Sequence, residues 1–173
     1  MRRAAFLLPP LLLAGCGGPK LTPEQQEAAD RRAIAAVEAA QDIPAQPVSP
    51  EPILTEDIER YDLLGGACRF MPEHGPAATP QGKGALAFVN EGGAYLKVDG
   101  EMLRLAPDAG SPELPLGARG RYDGKAYSII LDIARAEGEP SGMETIDFPA
   151  RLVLRNARDQ TVYAASGIAE CGS

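Results

Sequence analysis

A chain of 173 residues with 17 basic against 24 acidic side chains, 45% apolar residues, 19 glycines and 16 prolines holds material for one domain with a core. Its formal charge of −7 disfavours nucleic acid and anionic membrane surfaces, both of which select basic patches. With one histidine and three cysteines, little is left for a His/Cys metal cluster.

The chain begins Met1-Arg2-Arg3, runs apolar from Ala4 to Ala14, and continues with Gly15-Cys16. A charged tip, a short apolar stretch and small residues, in that order, read as an export signal. The apolar run of about eleven residues, broken by Pro9-Pro10, falls short of the roughly 20 that span a bilayer. A signal cut at another position is the alternative. Leu13-Ala14-Gly15-Cys16 resembles the lipobox of bacterial lipoproteins. The resemblance implies that residues 1–15 are removed and that Cys16, now first, carries a diacylglycerol and an N-acyl chain. Each buried methylene contributes about 0.8 kcal/mol, so two or three acyl chains hold a protein permanently where one does not. Gly17 follows the cysteine where inner-membrane lipoproteins have Asp. The same resemblance therefore implies the outer membrane, with the domain on its periplasmic face. Surface display stays open. Arg2 and Arg3 leave with the signal, so the mature 158 residues carry 15 basic and 24 acidic groups, a charge of −9.

Once Cys16 bears lipid, Cys68 and Cys171 remain in an oxidising compartment, where such a pair bonds. Two free buried thiols are the alternative. The bond would staple an early strand to the last one, across about 100 residues.

Residues 16–60 read as a tether. Thr22-Pro23-Glu24-Gln25 is a helix start, with Thr as N-cap, Pro at the first position and Gln at the third. Residues 23–40 are rich in Ala, Glu, Gln and Arg, and Ile34 and Val37 are the only large apolar groups. That face buries little, and no coiled-coil heptad is present. Residues 42–52 hold four prolines and favour an extended, semi-rigid arm. A helical turn over 53–60 is expected before the main domain at 61–173.

From Tyr61 the pattern turns to short strands and glycine turns. Strands are expected around Cys68 and Phe70 and over Ala85–Val89, with a loop from Met71 to Gly84 between them. Asp99-Gly100 signals a two-residue hairpin, pairing Val98 with Glu101 and Leu96 with Leu103. Leu96, Val98, Leu103 and Leu105 then share a dry face. A second Asp-Gly turn at Asp123-Gly124 leads into Tyr127, Ile129, Leu131 and Ile133 on one side of a strand. Residues 145–155 resume strand character, followed by Thr161–Ala165 and a last strand to Cys171. Seven or eight short strands without a crossover helix predict a mainly β domain, a small antiparallel barrel or sandwich.

Chemistry is sparse. His74 stands in a loop with no HxH or HExxH, and no serine lies in a G-x-S-x-G elbow. Asp99, Asp108, Asp123 and Asp159 sit at turns, where Asp supports the backbone. Glu137, Glu139 and Glu144 form an acidic loop without calcium-loop spacing. No catalytic residue, metal or cofactor is expected. The most distinctive patch is Leu116-Gly117-Ala118-Arg119-Gly120-Arg121-Tyr122-Asp123-Gly124. Either it is a packed hairpin whose arginines pair with nearby carboxylates, or Arg119, Arg121 and Tyr122 form a partner-binding loop, since Arg and Tyr are enriched at interface hot spots. A lipid-anchored β domain stapled by a late cysteine, with this Gly-Ala-Arg…Tyr segment, resembles periplasmic inhibitors of c-type lysozyme. That family is a small antiparallel barrel inserting a Ser-Gly-x-x-Tyr loop and a downstream Lys-Gly into the enzyme's cleft. Here Gly117 matches the glycine, Leu116 replaces the serine, Tyr122 lies two residues late, and no Lys-Gly follows. The leading expectation is a monomeric, non-catalytic, outer-membrane-anchored protein that binds a protein partner or supports the envelope. A hydrolase inhibitor and an envelope hydrolase are the alternatives.

Overall fold

The computed structural model describes residues 21–41, 43–74, 78–79 and 82–173. The expected signal at 1–15 and Cys16, the expected lipid site, lie outside the described residues. The chain divides into two units, one ending at Pro44 and one running from Ala45 to Ser173.

In the first unit, α1 (Pro23–Gln41) starts where its residues dictate. The Thr22 hydroxyl accepts the Gln25 N–H at 3.3 Å, and the Gln25 side-chain carbonyl accepts the Thr22 N–H at 3.0 Å. This reciprocal pair satisfies two otherwise orphaned donors. No α1 residue is buried, because an alanine stripe carrying only Ile34 and Val37 has little area to bury. Among the described residues no helix is long and apolar enough to cross a membrane.

The second unit is a closed antiparallel barrel. Its eight strands are β1 (Ala67–Pro72), β4 (Ala87–Asn90), β5 (Gly93–Val98), β6 (Glu101–Pro107), β7 (Arg121–Asp123), β8 (Tyr127–Ile133), β10 (Thr145–Asn156) and β11 (Thr161–Gly172). Each pairs with its neighbour in that order, and β11 returns to pair with β1. Closure leaves no long unpaired edge. Two short additions interrupt the meander. β2 (Ala78–Thr79) pairs with β3 (Gly82–Lys83) inside the stretch expected as plain loop, and β9 (Glu139–Pro140) adds to the start of β10. The two strands expected after residue 160 are one continuous β11.

Period two decides what faces inward. Phe70, Val89, Leu96, Ile129, Leu152 and Leu154 have no exposed surface and pack on one another in the interior. The Asp99-Gly100 hairpin has the expected register, with Val98 opposite Glu101 and Leu96 opposite Leu103. Both turn residues are left-handed, at φ 51° and 77°. The second Asp-Gly pair behaves differently. Asp123 pairs with Ser128, and Tyr122 with Ile129. A two-residue turn would set Lys125 opposite Tyr122 and so aim it into the core; the wider turn brings Ile129 there instead.

The sequence predicts a linker up to residue 60, but residues 45–60 belong to the barrel unit. The Val48 N–H bonds to the Val162 carbonyl at 3.0 Å, Glu51 to Lys97 at 2.8 Å and Ile53 to Ala85 at 2.8 Å. Pro50 is fully buried, and Ala45 and Val48 pack against the interior cluster. A proline-rich strand has few N–H groups to satisfy, and these three reach carbonyls at the barrel end carrying the Asp99-Gly100 turn. The arm is thus a strap capping that end. It continues into α2 (Thr55–Arg60), which lays Ile58 on a second, smaller core of Ile53, Leu63, Ala67, Ala85 and Phe88 outside the barrel wall. Tyr95 and Met102, on the outward face of the hairpin, pack against it.

One ion pair pins α2 to the wall. Lys97 Nζ lies 2.9 and 3.1 Å from the Asp57 carboxylate oxygens, with both side chains largely buried. Burial pushes the Asp57 carboxyl up, but the Leu54 N–H and the Lys97 ammonium outweigh it and hold it below the ordinary 3.8. Lys97→Ala is expected to lower stability by about 1–3 kcal/mol at neutral pH, measured by urea unfolding. Because the folded carboxyl is depressed, this contribution is complete above about pH 4 and is lost as pH falls below 3.8. A wild-type advantage that persists unchanged down to pH 2 would contradict it.

Candidate binding surfaces of the barrel

The connection from β6 to β7, residues 108–120, closes the end of the barrel opposite the strap. Asp108 starts it with a side-chain turn, its carboxylate accepting the Gly110 N–H at 2.9 Å. Ser111 Oγ donates to the Asp108 carbonyl at 2.7 Å and accepts the Arg121 N–H at 3.1 Å. Leu114 and Ala118 are buried in the interior cluster, joined by a 2.8 Å bond from the Leu114 N–H to the Ala118 carbonyl. Between them Leu116 and Gly117 are both left-handed, at φ 58° and 74°. Glycine accepts that conformation; a leucine pays steric strain of order 1–2 kcal/mol to adopt it. The strained residue also exposes 46% of its surface.

Of the three residues expected in a partner-binding loop, Tyr122 lies inside the barrel. It has no exposed surface. Its hydroxyl donates to the Asn90 carbonyl and accepts the Arg119 N–H, each at 2.7 Å, tying the end cap to the β4–β5 turn. Burial raises its pKa, with the Arg119 N–H acting the other way. The cause lies in the pairing: opposite Ile129, Tyr122 must share the inward face. Arg121 stays at the surface, held by Asp123 at 2.8–3.2 Å, and that carboxylate raises its pKa. Arg119 lies 3.7 Å from Glu113. The segment is a packed hairpin with paired arginines, and a partner reaching it meets Arg119 and Arg121 without the tyrosine.

The concavity at this end is apolar. A hollow of about 420 Å³ lies between Pro115-Leu116 and the β9–β10 hairpin, with Phe148 and Cys171 among its lining residues. Met143 is fully exposed at the hairpin tip, and Ile146 is 42% exposed on its wall. Pro140 sits opposite Ile146 in the ladder, so both face the hollow. Phe148 is pressed over Gly138, where any Cβ would collide with its ring. Sequence reasoning missed these residues; the signal was one large apolar side chain, Met143, in an otherwise polar turn.

A second groove, of about 540 Å³, runs beside α2 on the outer wall, lined by Ile58, Met71, Phe88 and the Arg69–Glu170 ion pair among others. Those two charges are directly opposite on β1 and β11 and satisfy each other. His74 is exposed beside Glu73. Burial raises the pKa of Tyr163. Among the described residues no group of three His, Cys, Asp or Glu is placed to hold a metal ion. Cys68 and Cys171 form the disulfide, directly opposite in the β1–β11 ladder.

Fold and surface define a closed eight-stranded up-and-down barrel, capped at both ends by its own chain, with a mostly exposed helix before it. Compared with known protein families, curated proteins and solved structures, the chain matches none.

Proposed function

We propose that this chain is a lipid-anchored envelope protein whose barrel serves as a binding module without catalysis. The Leu13-Ala14-Gly15-Cys16 sequence supports the anchor, and Gly17 favours the outer membrane and its periplasmic side. The observation that carries the binding reading is the apolar hollow, where a strained Leu116 is held at the surface beside the exposed Met143 and Ile146. Exposed apolar side chains around a concavity of this size are the usual makings of a recognition site. The titratable groups with shifted pKa values support the same reading. Asp57 answers to the Leu54 N–H and to Lys97, Arg121 to Asp123, and Tyr122 and Tyr163 to burial, all within the framework.

The anchor is tested by Cys16→Ser in cells of a two-membraned bacterium. The variant is expected to accumulate as an unprocessed precursor and to take up no labelled fatty acid, while the parent fractionates with the outer membrane. A mature N-terminus elsewhere, on a chain recovered free of membrane, would overturn the anchor. An activity titration of c-type lysozyme against the purified chain tests the inhibitor alternative.

A further inference from the structure

The hollow at the capped end lies away from the point where the tether joins the barrel. The chain enters the barrel unit at Ala45 and Val48, on the β11 end near Val162, where the Asn156–Gln160 turn lies. Leu116, Met143 and Ile146 stand at the opposite end, with the starts of β1 and β10 and the end of β11.

The charge around the hollow is one-sided. Glu144 lines it and accepts the Ser173 hydroxyl at 2.9 Å. The Glu91 side chain lies against Gly117, next to Leu116. On the β9–β10 wall Glu139 and Asp147 pair on the face away from Pro140 and Ile146, so Glu144 is the carboxylate that borders the hollow there. Nearby cations are already engaged: Arg119 with Glu113, Arg135 with the Glu113 carbonyl and Arg104 with the Gly92 carbonyl. Two carboxylates, Glu91 and Glu144, beside an apolar floor disfavour an anionic bilayer and a second copy of this acidic chain, and they complement a cation.

We infer that the Leu116–Met143 hollow docks a basic segment of a partner protein, one large apolar side chain entering the hollow and flanking Lys or Arg meeting Glu91 and Glu144. The inference deepens the binding reading. Fractionation of Cys16→Ser reports on the anchor alone and titration on the hollow alone, so the two can fail separately.

The probe is a fluorescent synthetic peptide alternating lysine and leucine, titrated against the processed chain as isolated from cells and held in zwitterionic nanodiscs. Glutamate–leucine and lysine–serine peptides are the controls. The lysine–leucine peptide is expected to bind best. Its binding should weaken as salt rises from about 0.1 M to about 1 M, which shortens the screening length from about 10 Å to about 3 Å. Met143→Glu and Leu116→Gly should each weaken it about tenfold or more, as loss of an anchor does. Neither should unfold the barrel: Met143 is fully exposed, and glycine accepts the left-handed backbone at 116 without strain. Glu144→Lys should weaken the lysine–leucine peptide and favour its glutamate counterpart. Equal binding by parent and variants, equal binding of the control peptides, or no binding at all would overturn the inference. Protection of residues 140–146 from hydrogen exchange by the nanodisc alone would assign the hollow to the membrane and overturn it too.

Discussion

Replacing Cys68 and Cys171 together by alanine is expected to lower the free energy of unfolding by about 4–5 kcal/mol. The two residues are 103 apart in sequence and directly opposite in the β1–β11 ladder. That ladder joins the first barrel strand to the last. Every other neighbouring pair in the barrel is also close in the chain, so only this seam carries the full entropic cost of bringing distant strands together. The covalent bond removes that cost from the unfolded ensemble; without it, the backbone bonds of one strand pair must hold the closure. Alanine is the better replacement, because two serine hydroxyls at these buried positions would add a desolvation cost of their own. Urea unfolding of the oxidised parent and the double variant measures the difference. Reduction of the parent should move its midpoint in the same direction. A loss under about 1 kcal/mol would mean that the seam closes on its hydrogen bonds and core alone.

What could be read from the residues is what local chemistry settles. Thr22 and Gln25 cap α1 through partners three residues apart, and Asp99-Gly100 takes left-handed angles that few other pairs accept. The alternation of Leu96, Val98, Leu103 and Leu105 then fixes which face is dry. The disulfide was legible for a different reason. The expected compartment and the expected lipid on Cys16 left one pair, so elimination stood in for geometry.

The remainder depends on partners distant in sequence. Asp123-Gly124 looks like Asp99-Gly100 over its own few residues. It widens because Ile129, and not Lys125, must meet Tyr122 inside the barrel. Composition marks residues 42–52 as extended, but the carbonyls of Lys97, Ala85 and Val162 decide that the arm lies on the barrel. The hollow has still less local signal. Leu116 takes its left-handed angle from a cap that must bury Leu114 and Ala118 on either side of it, and Met143 and Ile146 reach it through the β9–β10 hairpin. A site assembled from two chain reversals at a barrel end leaves no spacing for a motif to record.

Tyr122→Ala is expected to cost about 3–5 kcal/mol for the cavity alone, the range for a buried large aromatic, with the loss of two hydrogen bonds added to it. Tyr122→Phe separates the terms. It keeps the ring and removes only the hydroxyl, leaving the Asn90 carbonyl and the Arg119 N–H without their partner. That should cost about 1–3 kcal/mol. Arg121→Ala should change stability by within about 1 kcal/mol, because its pairing with Asp123 is solvent-exposed and local. In thermal or urea unfolding the loss should be largest for Tyr122→Ala, smaller for Tyr122→Phe and smallest for Arg121→Ala. That ranking follows from the tyrosine's place inside the barrel. Its hydroxyl joins the β4–β5 turn to the cap that carries Leu116, so Tyr122→Phe should also loosen residues 114–120, read as faster hydrogen exchange there than in the strands. If Tyr122→Ala instead left stability within about 1 kcal/mol of the parent and abolished binding of the lysine–leucine peptide, the side chain would be a surface anchor. The recognition surface would then be the 117–124 loop and not the hollow beside it.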